Sequence, residues 1–169
     1  MGLKHSGKTT FARLHSERCK VLFSDADHLV QKLIEPQSIR DYYRTNGKES
    51  FMKLELEAVD DFLLSSSKPF VMSLGGGASD NIPLMERIAG EGKLIYLHRR
   101  ESDMLPIILR DGIPPFLDED DVEGSFHRLY EKGDSIYRKY ADLTVELGPY
   151  TDIQETFDFL THSLEEDRS

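Results

Sequence analysis

The sequence predicts an α/β domain, a parallel sheet with helices on both faces, and two observations predict it. Strand-like and helix-like segments alternate along the chain. The strand-like segments are short apolar runs with little polar alternation, the pattern of strands covered on both sides.

The elements follow in order. Residues 8–18 read as a helix with Phe11 and Leu14 on one face. Lys20 to Phe23, "KVLF", is a short buried strand closed by Ser24-Asp25-Ala26-Asp27. A helix over 26–34 stops at Pro36, because the residue before a proline is pushed out of the α region. "SIRDYYRTNG" is a short helix ended by Gly47. A long helix over 49–64 places Phe51, Leu54, Ala58, Val59 and Phe62 at steps of three and four. Residues 69–74 form a second buried strand that runs into Gly75-Gly76-Gly77. A helix near 81–90, a strand over 93–97 and a helix near 101–110 come next. Residues 111–121, with a glycine, two prolines and a block of acids, read as an exposed loop. A helix over 122–139, the strand "DLTVEL" and a helix over 152–165 complete the chain, which shows neither a repeat nor a low-complexity linker.

With 169 residues the chain suits a single domain built on one core. Its formal net charge of -10 repels nucleic acid and anionic lipid, so neither is an expected partner. Cys19 is the single cysteine, which rules out a disulfide within this sequence and suits a reducing, cytoplasmic setting. It is expected to be a small buried apolar residue. The sequence contains no apolar run long enough to span a bilayer. "MGLKHS" fits a myristoylation pattern, but a loop accounts for Gly2 better.

That loop is Gly2-x-x-x-x-Gly7-Lys8-Thr9. Its glycines permit backbone angles and close approaches that side chains would block. Successive backbone N–H groups then surround phosphate oxygens, and the following helix adds partial positive charge. Lys8 can reach the outer phosphates, and the Thr9 hydroxyl can hold Mg²⁺. With Ser6 and Thr10 these residues are the nucleotide-binding candidates, and His5 is expected to face solvent. A glycine turn before an ordinary helix would show the same residues.

Asp25 and Asp27 follow the first apolar run, at the strand edge where open parallel sheets bind ligands. On an extended segment they would point the same way. Asp25 would then hold Mg²⁺ through water, and Asp27 would take a proton from an incoming hydroxyl. The alternative is a helix N-cap and a first-turn acid. The glycine triplet 75–77 would let a small ligand lie against the backbone.

Together "GLKHSGKTT", "FSDAD", "IRDYYRTNGKESFMKLE", "VMSLGGGAS", "LIYLHRRES" and "YEKGDSIYRKYADLTVE" resemble the shikimate kinase family over nearly the whole chain. The resemblance implies a P-loop kinase with a five-stranded parallel sheet, a lid over about 108–121 and a monomeric state. It implies transfer of the γ-phosphate of MgATP to the 3-hydroxyl of shikimate, within aromatic amino acid biosynthesis. Lys8 and Thr9 would then serve phosphates and metal, and Asp25 would be a carboxylate acting on the metal through water. Asp27 would contact the acceptor hydroxyl, and Gly75, Gly76 and Gly77 would line its pocket.

Three family arginines aimed at anions are replaced here, by Met52, Gly133 and Pro114. Losing one partner of a desolvated charge pair typically costs about 2–5 kcal/mol. Lys53 lies about 100° round the helix from Met52 and should point away; Arg110, Arg128, Lys132 and Arg138 are further candidates for compensation. The strand that precedes the loop in P-loop kinases, the central one, has no counterpart among the four strands counted. One expectation is a start read too late, with about 7–10 more residues, mostly Val, Ile and Leu, upstream; the other is a truncated copy. Two functional alternatives stand beside the kinase of shikimate: a kinase of a less anionic hydroxyl compound, and a catalytically impaired nucleotide-binding remnant.

Overall fold

The computed structural model describes every residue except Asp111, Pro115, Arg168 and Ser169. It divides into two compact units, Met1–Lys8 with Lys93–Ser169, and Thr9–Gly92. Each unit contains one pair of parallel strands.

The Thr9–Gly92 unit takes all but the first residue of α1 (Lys8–Cys19), then β1 (Leu22–Asp25), α2 (Ala26–Ile34), α3 (Ile39–Ser65), β2 (Phe70–Ser73), a 3₁₀ turn (Ala78–Asp80) and α4 (Ile82–Ile88). β1 and β2 run parallel, with Leu22 opposite Phe70 and Asp25 opposite Ser73. Parallel neighbours need a crossover, and α2 with α3 provides it. Side-chain caps fix both helix starts: Asp25 accepts from the His28 N–H, and Ser38 from the Asp41 N–H.

Within α3, Gly47 leaves the helical region at φ 79° and splits the element into the two helices that the sequence predicts. The break brings Tyr43 and Phe51 edge to face, with ring centres 5.6 Å apart. The second half buries Ala58 and Val59 as expected, and Glu55 with them. It packs on α2 and α4, where Val30, Val59, Leu84 and Met85 are enclosed.

Two local expectations need correction. β1 is Leu22–Asp25 rather than 20–23, because the end of α1 consumes Lys20 and Val21. The Val21 N–H donates to the Ser16 carbonyl (3.0 Å) and the Lys20 N–H to the Glu17 carbonyl (3.2 Å), with Lys20 at φ 56°. These are the paired bonds of a Schellman cap, and they hold both residues out of the strand. Cys19, the last helical residue ahead of that cap, is exposed rather than buried, its Sγ 3.5 Å from His15 Nε2.

The other unit carries the glycine loop, β3 (Ile95–His98), α5 (Glu101–Ile108), α6 (Val122–Tyr140), β4 (Leu143–Glu146) and α7 (Ile153–Glu166). β3 and β4 are parallel, with Ile95 opposite Leu143 and His98 opposite Glu146. Met1 also runs beside β3: its N donates to the Ile95 carbonyl (2.7 Å), and its carbonyl accepts from the Leu97 N–H (2.9 Å). These two bonds bracket Tyr96 as a parallel ladder does.

Tyr96, Phe126 and Tyr137 fill this core, the Tyr96 and Tyr137 rings 5.3 Å apart. The Tyr96 hydroxyl donates to Asp134 (2.9 Å), and burial raises its pKa. Buried His98 joins Glu146 across the strand pair and meets the Tyr130 hydroxyl at 2.6 Å. That hydroxyl donates to the Arg99 carbonyl (3.0 Å), and burial pushes its pKa up to about 12.

The α/β class, the parallel strands and the four-strand count match the sequence expectation, and no fifth strand occurs among the described residues. No described helix is long and apolar enough to cross a membrane.

Leu84 is wholly buried on α4, whereas Leu64 is 75% exposed near the end of α3. Leu84→Ala should therefore lower the unfolding free energy by about 2–5 kcal/mol, and Leu64→Ala by less than about 0.5 kcal/mol. Urea titration of both variants checks this, and equal losses would contradict the packing described.

Candidate active site

The glycine loop is shaped by positive φ values at Gly2 (152°), His5 (67°) and Gly7 (94°). A Cβ on Gly2 would stand 2.7 Å from both the Leu97 carbonyl oxygen and Ser6 Oγ, so a side chain has no room there. The Ser6 N–H donates to the Leu3 carbonyl (3.2 Å), and the Lys8 ammonium donates to the same carbonyl (2.8 Å). His5 is exposed as expected, its carbonyl accepting from the Tyr150 hydroxyl (2.8 Å). Ser6 Oγ is buried without a hydrogen-bond partner. An unpartnered hydroxyl in a glycine-shaped loop that opens onto a helix N-terminus fits a bound phosphate oxygen.

In the other unit, Asp25 ends β1 and caps α2. Its Oδ2 accepts from the Thr9 hydroxyl (3.0 Å) and from the Ser73 hydroxyl, and its Oδ1 from the His28 N–H (3.2 Å). A hydroxyl and a carboxylate are hard oxygen donors of the kind Mg²⁺ selects, completed in such sites by phosphates and water. The residues present thus fit that ion. Among the described residues, no group of three or more His, Cys, Asp or Glu gathers to hold a metal. Thr10, next along α1, is exposed.

Asp27 lies in the first turn of α2 rather than on an extended strand end. The two acids therefore part: Asp25 meets Thr9 and Ser73, while Asp27 meets the glycine triplet. A cavity of about 500 Å³ opens there, lined by Asp27, Glu55 and Gly75 to Gly77. Ile39, Tyr43 and Phe51 give it an apolar wall, and Arg40 borders it. That volume falls within the usual range for small-molecule sites.

The triplet is not uniform in its demands. A Cβ on Gly75 would lie 2.7 Å from Asp27 Oδ1 and 3.2 Å from Glu55 Oε1, whereas one on Gly77 would meet nothing within 4 Å. Glu55 is fixed from behind, its Oε2 accepting from Asn81 Nδ2 (2.9 Å), which also donates to the Met52 carbonyl (2.8 Å). Burial raises the Glu55 pKa above the ordinary carboxylate range; the Asn81 bond opposes that shift and the nearby Asp27 charge adds to it.

Sequence reasoning missed Glu55, Arg40, Asn81 and Ser73 as neighbours of the site. Glu55 shares a helical face with Phe51, Ala58 and Val59, a signal hidden by counting apolar residues alone. Of the cations weighed as compensation, Lys53 is exposed and does not line the cavity. Arg128 pairs with Asp121 (3.1 Å), and Arg138 with Asp134 and Glu146. Gly133 is buried within α6 and Pro114 is half-buried, while Asp111 and Pro115 of the expected lid lie outside the described residues.

Parallel strands with a glycine loop leading into a helix make this a P-loop kinase fold. The family model described as Shikimate kinase matches residues 4–161. The chain is 28% identical over 148 residues to the shikimate kinase of Burkholderia lata, covering 88% of this chain and 79% of that one. It is 30% identical over 146 residues to the enzyme of Xanthomonas campestris, covering 86% and 79%. Among solved structures, the shikimate kinase of Acinetobacter baumannii in complex with shikimate matches with a TM-score of 0.80 at 25% identity, over 98% of this chain and 88% of that one. The Aquifex aeolicus enzyme matches with a TM-score of 0.77 at 26% identity, over 99% and 95%. The chain belongs to the shikimate kinase family.

Two outcomes follow from the Glu55 environment. A raised folded pKa means the folded protein holds the Glu55 proton more tightly than the unfolded chain does. Stability is therefore lost as pH rises from about 4.5, the ordinary value, through the raised one. Glu55→Gln, which can still accept from Asn81, should remove that decline. The stability gap between variant and wild type should widen through this window, and a gap constant from about pH 4 to 8 contradicts the assignment. Gly75→Ala should displace the Asp27 carboxylate and lower kcat/KM with global stability largely kept; activity equal to that of a Gly77→Ala control would show the backbone approach at Gly75 to be dispensable.

Proposed function

We propose that this chain transfers the γ-phosphoryl group of ATP to the 3-hydroxyl of shikimate. The observation that carries the reading is the cavity in which the Asp27 carboxylate and the Gly75–Gly77 backbone meet, in a chain of the shikimate kinase family. In phosphoryl transfer the acceptor oxygen attacks the γ-phosphorus as its bond to the β-phosphate oxygen breaks, and catalysis is mainly positioning and charge neutralisation.

Asp27 is assigned the acceptor hydroxyl, which it orients and whose proton it takes as the new bond forms. Gly2, Ser6 and Gly7 are assigned the phosphates through loop N–H groups and the Ser6 hydroxyl. Lys8 supplies the cation for the migrating group, and Thr10 stands beside the same phosphates. Thr9 and Asp25 would hold Mg²⁺, which supplies neutralisation of phosphate charge when bound. Ser73 and the α2 N-terminus keep the Asp25 carboxylate oriented. Residues 108–121 are assigned the lid, and the protein is taken to act as a monomer in the cytoplasm.

Replacement of the family arginines by Met52, Gly133 and Pro114 favours a second reading, a less anionic hydroxyl acceptor. ADP release with MgATP, measured with and without shikimate, separates the two. Saturable release that depends on shikimate supports the first reading, and release only with a neutral polyol replaces it with the second. Asp27→Asn should lower kcat by about 10²-fold or more while ATP binding persists; unchanged kcat would remove Asp27 from its assigned role.

A further inference from the structure

The wall of the proposed acceptor cavity includes one cation. Arg40, the second residue of α3, borders the same cavity as Asp27 and the glycine triplet. It is the only cationic residue among the described residues that line it. Among the described residues its guanidinium makes no ion pair or hydrogen bond. The adjacent acid, Asp41, is taken by Arg44 (2.8 Å) and by Ser38. The next cation along α3 after Arg44, Lys48, is paired with Asp80. Arg40 therefore carries an uncommitted planar fork of donors, the geometry that grips a carboxylate through two bonds.

The rest of the lining defines what would meet that fork. Ile39, Tyr43 and Phe51 offer apolar surface to a ring, while Asp27 and the glycine backbone offer hydrogen-bonding partners to hydroxyl groups. Burial favours the protonated form of Glu55 on the same wall. A hydroxylated ring acid satisfies all three parts of the wall. A neutral ring of the same shape leaves the cation without a partner.

We infer that Arg40 anchors the acceptor's carboxylate and sets the preference for an acid over its neutral counterpart. It thus takes over a task that Met52 cannot perform. The inference rests on reading this cavity as the acceptor site. Since Arg40 is exposed, its contribution is that of a charged hydrogen-bonding pair open to water rather than a desolvated one.

The test compares wild type, Arg40→Ala and Arg40→Lys with two acceptors, shikimate and its methyl ester, by ADP release and by calorimetric binding. Arg40→Ala should raise the KM for shikimate about 10- to 100-fold, with kcat, the KM for ATP and the KM for the ester little changed. Arg40→Lys should recover part of the loss. An unchanged acid-to-ester ratio in Arg40→Ala, or equal losses for both acceptors, overturns the assignment and leaves the phosphotransferase reading intact. If wild type releases no ADP with shikimate, that reading fails on its own, and binding decides the role of Arg40. Shikimate affinity lost in Arg40→Ala with ester affinity kept supports the anchor; no shikimate binding by wild type, or binding indifferent to residue 40, refutes it.

Discussion

The Asp25 carboxylate is the point on which the Thr9–Gly92 unit turns. It ends β1, caps α2, and accepts from Thr9 on α1 and from Ser73 at the end of β2. Four elements thus converge on two oxygen atoms. The parallel register makes this possible, because Asp25 and Ser73 are partners across the strand pair. A carboxylate held by three donors loses little further freedom when a cation arrives, so its orientation is fixed before any ligand binds. The same strand end directs α2, and α2 in turn delivers Asp27 to the cavity.

The cavity shows a second economy, in what a missing side chain permits. Gly75 brings its backbone against Asp27 and Glu55 at distances no Cβ could tolerate. Burial raises the Glu55 pKa, and Asn81 opposes that shift by donating to its Oε2 while also donating to the Met52 carbonyl of the same helix. A carboxylic acid with a raised pKa stays near neutral more readily than a surface glutamate.

Much of this was legible from residue order. Apolar runs gave the four strands, and Gly47 gave the break in α3, because both signals are local. The error in β1 was also local, yet it depended on Lys20 adopting a left-handed conformation in a cap usually closed by glycine. Cys19 was misplaced for the same reason, since that cap decides which way the helix end faces. The two acids were identified as a pair, and the alternative weighed for them, a helix N-cap and a first-turn acid, is the arrangement that the structure has. Arg40 and Glu55 were hidden for a different reason. They are charged residues on faces that periodicity reads only by apolar content, and they line one cavity from the two halves of α3 that Gly47 separates.

How a chain with a formal charge of -10 can handle a polyanion follows from where the opposing charges act. Surface carboxylates repel phosphate through water and salt, which screen them beyond about 8–10 Å. The glycine loop acts at contact range with backbone dipoles, which are never titrated and need no desolvated cation. Gly2 keeps the loop closed against β3, and Lys8 adds a charge at its helical end, its ammonium donating to the Leu3 carbonyl. In such a design arginines are adjustable additions to a fixed backbone cradle. Met52, Pro114 and Gly133, which stand where the family resemblance implies arginines, leave the loop, the Asp25 junction and the glycine-backed cavity in form.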